Sequence, residues 1–204
     1  MKRIVVPGEV ITKDGKVRIG KHVYKKNGIV YSDCLGIVKE GNNYVDVIPL
    51  KGKYIPQQRH KVIGVVVGED FGGFFIDINS IHWTYIMKKE LQNVILNKYD
   101  VILATIKYVD EVLDVELEGI KKLFDGALLE VEPVKVPRIL GKNLSMLKLL
   151  KEYTGSSVIV GMNGRIWIKG GKIELFEKAI RIIEEESHKD KLTERIAKFL
   201  EENK

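Results

Sequence analysis

The chain's 204 residues leave room for one large domain or two to three small ones, and 45% hydrophobic with 30% charged residues is an ordinary globular composition. No run of about 18 apolar residues supports a membrane span, and the opening MKRIVVPGEVI lacks the long apolar stretch of a signal peptide. The net charge of +6 is uneven: 11 Lys/Arg against 5 Asp/Glu in 1–57, 8 against 11 in 58–125, and 15 against 12 in 126–204, so the basic ends suit a polyanion or an acidic protein partner.

In chain order, the first segment consists of short apolar runs cut by Lys13-Asp14-Gly15-Lys16, Lys26-Asn27-Gly28 and Glu40-Gly41-Asn42-Asn43. Asp-Gly and Asn-Gly tolerate positive φ and favour hairpins, which predicts a small antiparallel β domain over 4–49. Pro49 and Pro56 bracket a boundary segment, LKGKYIPQQRH. The single cysteine, Cys34, excludes an internal disulfide and a multi-cysteine zinc site. It reads as a small buried side chain in a reduced, cytoplasmic setting.

From Lys61 the pattern predicts five strands: KVIGVVVGED, GGFFIDIN, HWTYIMK, YDVILATIKYVD and VLDVELEG. A helical stretch, KKELQNVILN, precedes the fourth, and this order fits a small OB-type barrel. Single-stranded nucleic acid is held by aromatic platforms and nearby cations. Alternation along GGFFIDIN sends Phe74 inward and Phe75 outward, while Phe71 falls in a loop before two glycines. Thr105 and Lys107 share an outward face on the fourth strand. With the segment's net charge at −3, RNA contact there would depend on Phe71 and Phe75 with Lys88, Lys89 and Lys107.

The last segment changes to an α+β order. GALLEVEPVKV reads as a strand ended by Pro137, and LSMLKLLKEYTG as a helix with Leu144, Leu147 and Leu150 on one face and Gly155 as its stop. SSVIVG and RIWIKG read as strands, followed by the amphipathic helices ELFEKAIRIIEEE and DKLTERIAKFLEEN. Two glycine-led loops compete as a clamp on a nucleic-acid backbone, which belongs between two helices. Gly141-Lys142-Asn143-Leu144 sits in that place, with Arg138 beside it; Gly161-Met162-Asn163-Gly164 lies between strands, where Asn163-Gly164 predicts a tight hairpin turn. His22, His60, His82 and His188 are scattered without metal-ligand spacing, and no H-E-x-x-H, G-x-S-x-G or Walker loop is present. Neither a catalytic constellation nor a metal or cofactor site is expected.

The succession of VVPGEVI, KVIGVVVGEDFGGFFIDINS, VPRILGKNLSMLKLLKEYTG and GMNGRIW resembles the archaeal exosome's RNA-binding cap subunits of the S1–KH type, across essentially the whole chain. The resemblance implies a multidomain α+β fold: an N-terminal β domain over 1–57, an S1-type OB barrel over 58–125, and a KH-like domain with C-terminal helices over 126–204. It implies that the first domain docks on a hexameric ring of RNase PH-like exosome subunits. The other two would bind single-stranded RNA and guide it inward for 3′-to-5′ degradation, with no catalytic residue or cofactor in the cap itself. Mixed caps with a zinc-ribbon sister subunit are implied too, although one cysteine is incompatible with that type here. In the KH-like domain the implied contacts are Arg138, Lys142 and Asn143, with Gly161, Asn163 and Gly164 as a structural hairpin. Two departures stand out. Leu144 replaces the glycine that usually closes the KH loop, and Met87, or His82 in a shifted alignment, falls where many S1 strands carry histidine. A ring-stabilising scaffold, favoured by the basic first segment and acidic barrel, and a stand-alone ribonuclease remain as alternatives.

Overall fold

The computed structural model describes residues 3–41, 43–91, 94–187 and 191–203. Asn42 of the third predicted turn, Gln92 and Asn93 of the predicted short helix, and His188 lie outside the described residues. The chain divides into two compact units, 1–52 and 53–204.

The first unit contains β1 (Ile4–Val5), β2 (Val10–Thr12), β3 (Arg18–Ile19), β4 (Val23–Lys26), β5 (Ile29–Ser32), β6 (Gly36–Gly41) and β7 (Tyr44–Pro49). They form two sheets, ordered β1-β6-β7-β3 and β2-β5-β4. At the β4–β5 turn Asn27 and Gly28 have φ of 51° and 77°, the paired positive values that match the twist of a two-residue hairpin. The wholly antiparallel expectation fails at one place, because β3 pairs parallel to β7. Val5, Ile11, Val23, Val30, Val45 and Val47 form the core.

The second unit opens with a five-stranded antiparallel sheet: β8 (Lys61–Glu69), β9 (Gly73–Asp77), β10 (Thr84–Met87), β11 (Val101–Val109) and β12 (Val115–Leu123). The order is β10-β9-β8-β11-β12, and β10 also lies against β12, curling the sheet into an OB-like half-barrel. Val62, Val66, Phe74, Ile76, Ile86, Ile102, Ala104 and Ile106 fill its interior. The expected helix KKELQNVILN is reduced, among the described residues, to one 3₁₀ turn at Lys88–Leu91. Burial explains the difference: Leu91 and Leu96 turn into the barrel core, a more favourable use of them than a helix exposing one side to water.

Beyond the barrel come β13 (Ala127–Glu130), α1 (Val136–Leu140), α2 (Ser145–Thr154), β14 (Ser157–Val160), β15 (Arg165–Lys169), α3 (Ile173–Glu186) and α4 (Leu192–Glu202). The sheet order is β13-β15-β14, with the helices packed on a core that includes Ile139, Leu150, Ile166, Phe176 and Ile196. The strand expected to reach Pro137 stops at Glu130. Pro133 instead starts a 3₁₀ turn that runs into α1, and Pro137 sits in that helix's first turn, where no N–H is needed. Leu144, expected on the helical face, precedes α2 and is 47% exposed. Gly155 ends α2 as expected, at φ 65° with its N–H donating to the Lys151 carbonyl. No helix among the described residues is long and apolar enough to cross a membrane.

The GMNG stretch joins β14 to β15. The Gly161 carbonyl accepts the Gly164 N–H at 3.3 Å, the Gly161 N–H donates to the Arg165 carbonyl at 2.8 Å, and Gly164 has φ 81° while Asn163 keeps a negative φ. This is a three-residue loop with the left-handed residue last, not a two-residue turn centred on Asn163-Gly164. Its register places the Asn163 side chain against the barrel, fully buried. There Asn163 accepts the Ile63 N–H at 3.2 Å and donates to the carbonyls of Ile63 and Ile78 at 2.8 and 2.9 Å. The approach is close enough that a Cβ on Gly161 would stand 2.9 Å from the Ile63 nitrogen. Arg165, 5% exposed, reaches the same end of the barrel, donating to the Asp77 carbonyl and carboxylate at 2.5 and 2.6 Å and to Glu130 at 2.9 Å. Met162 packs against both cores. The β14–β15 hairpin therefore ties the barrel to the KH-type layer.

Candidate nucleic-acid interface

The barrel's loop between β8 and β9 presents Phe71 fully to solvent. A phenyl ring gains nothing from water, so what holds it there matters. The Asp70 carboxylate accepts the N–H groups of Gly72 and Gly73 at 2.9 and 2.7 Å and the Tyr85 hydroxyl at 2.7 Å, all on one oxygen. These bonds, the Tyr85 hydroxyl foremost, hold the Asp70 carboxyl below its usual range and push the Tyr85 phenol up. Phe71 thus projects from a stapled turn.

Alternation places the next groups. Phe74 is 4% exposed in the core, whereas Phe75 is half-buried on the outer face, across from Tyr85 on β10. Their ring centroids are 5.1 Å apart at an interplanar angle of 59°, a tilted aromatic pair. Met87 lies on one side of Tyr85 along the strand and Trp83 on the other, 43% and 66% exposed, so the outer edge of the barrel carries a continuous apolar stripe. Sequence reasoning did not place Tyr85, Trp83 or Met87 among the RNA contacts. The signal was present, since HWTYIMK alternates as strictly as GGFFIDIN.

The cations divide. Lys88 is exposed near this stripe but engaged: its ammonium pairs with Glu69 at 2.9 Å, donates to the Asp70 carbonyl at 3.2 Å, and lies 5.5 Å from the Phe74 ring centroid. Lys89 is exposed and carries no ion pair among the described residues. Lys107, on β11, is paired with Glu116 at 2.5 Å, and the neighbouring Glu118 and Glu90 join Glu116 in raising its pKa. The structure brings Phe71, Phe75 and Lys88 together with Tyr85; it leaves Lys107 among carboxylates.

In the second candidate region, α1, the loop at 141–144 and α2 form a helix–loop–helix. Arg138, Lys142 and Asn143 are all exposed there. Arg138 and Lys142 line a groove of about 390 Å³ together with Gly141, Ser145 and, at the start of α4, Lys191, and Asn143 is not part of that lining. Gly141, Asn143 and Leu144 have φ of 71°, 53° and 62°. Leu144 therefore adopts the left-handed backbone that a closing glycine would take, and does so with its side chain in solvent.

Comparison with known proteins gives a consistent result. A family model for the exosome RNA binding protein RRP4 N-terminal domain matches residues 2–51, and one for the KH domain matches residues 126–174. The exosome complex component Rrp4 of Methanosarcina barkeri is 41% identical, with 98% of this chain and 82% of the relative covered. That of Thermofilum pendens is 37% identical, covering 98% and 93%. A crystal structure described as an exosome complex RNA-binding protein is 31% identical and superposes with a TM-score of 0.67, covering 74% of this chain and 97% of that one.

Proposed function

This chain belongs to the family of the exosome complex component Rrp4, and we propose that it is a non-catalytic RNA-binding cap of an archaeal, cytoplasmic exosome. Residues 58–125 and 126–204 capture single-stranded RNA, and residues 1–57 seat the subunit on a ring of RNase PH-like phosphorolytic subunits, alone or in caps mixed with a zinc-ribbon sister. The single observation that carries the RNA reading is the apolar stripe headed by Phe71. An exposed ring stapled outward by Asp70 beside a tilted aromatic pair is a stacking platform, indifferent to base identity because every base has a π-face. Lys88 and Lys89 supply cations at its edge, with Arg138, Lys142 and Asn143 as a second contact.

The test is filter binding of an unstructured RNA to the full chain across a salt series. Log affinity falls linearly with log salt as phosphates are neutralised. Phe71→Ala weakens binding by about 1–3 kcal/mol at every salt concentration without changing the slope, because a stacked base is lost and no phosphate contact is. A flat salt dependence, or full affinity in Phe71→Ala, contradicts the reading. A scaffold role gains one specific support: the ammonium groups of Lys88 and Lys107 already have carboxylate partners, so the barrel offers phosphates fewer free cations than its lysines suggest.

A further inference from the structure

Outside the RNA-binding region, the first unit gathers three side chains that the sequence keeps 11 and 12 positions apart. His22 immediately precedes β4, and Asp33 and Cys34 immediately follow β5; because Val23 pairs with Ser32, the hairpin closes these flanks on each other. The Asp33 N–H donates to the His22 carbonyl at 3.2 Å, and the Ser32 hydroxyl donates to the Cys34 carbonyl at 2.7 Å, fixing the second flank. His22 is held at φ 59°, a left-handed backbone that non-glycine residues adopt at a cost. Its Nδ1 lies 3.4 Å from Asp33 Oδ1, and one ligand atom each from His22, Asp33 and Cys34 fall within 4.8 Å of one another.

We propose that His22, Asp33 and Cys34 form a binding site for a single zinc-class divalent cation. Bonds of about 2.0–2.3 Å to imidazole nitrogen, carboxylate oxygen and thiolate sulfur imply ligand–ligand separations of about 3.3–3.8 Å in a tetrahedron. The histidine–aspartate distance already meets this, and small rotations close the rest. Thiolate and carboxylate balance the double positive charge. A mixed N, O, S donor set selects borderline cations over magnesium or calcium, which take oxygen ligands. His22 and Cys34 are half-buried while Asp33 is exposed, so the fourth position faces solvent and takes water. The ion would tie the two ends of the β4–β5 hairpin together, a role independent of RNA capture.

The experiment titrates the full chain first with Co²⁺ and then with Zn²⁺. Thiolate ligation of Co²⁺ gives a charge-transfer absorption that imidazole and carboxylate alone do not. The expected result is a band saturating at one ion per chain, displaced by Zn²⁺ and lost in Cys34→Ser. In competition with a chromophoric chelator, Asp33→Asn and His22→Asn, the latter chosen because asparagine tolerates positive φ, weaken Zn²⁺ at least about tenfold. The unaltered chain reports thiolate ligation directly, so the outcome does not depend on a variant's folding. No charge-transfer band at stoichiometric Co²⁺, or Zn²⁺ affinity unchanged in both substitutions, overturns the proposal.

Discussion

Phe71 adds nothing to the barrel core, and the turn that carries it is held by its neighbour Asp70 and by the Lys88 N–H, which donates to the Gly72 carbonyl. The Asp70 carboxylate holds the turn through three hydrogen bonds, which also depress its pKa. The stabilisation from that carboxylate is therefore fully present above the ordinary aspartate pKa of 3.8 and is lost as pH falls through the lower folded value. Following the Gly73 amide by NMR should give a titration midpoint below 3.8, absent in Asp70→Asn; a midpoint at or above 3.8 would mean the staple does not form in solution. At this scale period-two alternation was enough to separate Phe74 from Phe75. It could not foresee the surroundings of Lys107. Glu116 meets that lysine through β11–β12 pairing, whose register shifts at two irregularities, and no local pattern records them.

Among the elements, α1 was the one hidden from sequence reading. GALLEVEPVKV has strand-like composition with Pro137 read as its end, whereas Pro133 and Pro137 both sit where a helical turn begins. The loop after α1 raises a different question, because Leu144 holds a left-handed backbone at 47% exposure with no core contact to justify it. That conformation costs an L-residue about 1–2 kcal/mol. Leu144→Gly relieves it, at about 0.5–1 kcal/mol of added unfolded-state entropy. The expected outcome is a chain as stable or up to about 1.5 kcal/mol more stable in urea denaturation, with tighter RNA binding because backbone can approach phosphate where the isobutyl group stood. Unchanged RNA affinity would remove this loop from the interface and leave the barrel stripe as the sole contact.

Across the whole second unit, the hairpin signalled by Asn163-Gly164 was legible as a hairpin but not as a seam. Its partners, Ile63 and Ile78, lie 100 and 85 positions away, and a buried asparagine is recognised only once the barrel strand stands beside it. Asn163→Ala orphans an N–H and two carbonyls in a buried site, each costing about 1–3 kcal/mol, so a loss of roughly 3 kcal/mol or more is expected in urea denaturation. Barrel and KH-type layer should then no longer unfold together, and a single unshifted transition would show that the seam contributes little. Joining the two layers proposed to contact RNA fits a subunit that presents one strand of RNA to both. The most direct test of that role is RNA decay by the purified phosphorolytic ring with and without this chain. The account predicts that adding the chain lowers the KM for single-stranded RNA while kcat at saturation holds, that Phe71→Ala reverses much of the gain, and that the chain alone turns over nothing. Decay by the isolated chain, or a KM unmoved by its addition, would contradict it.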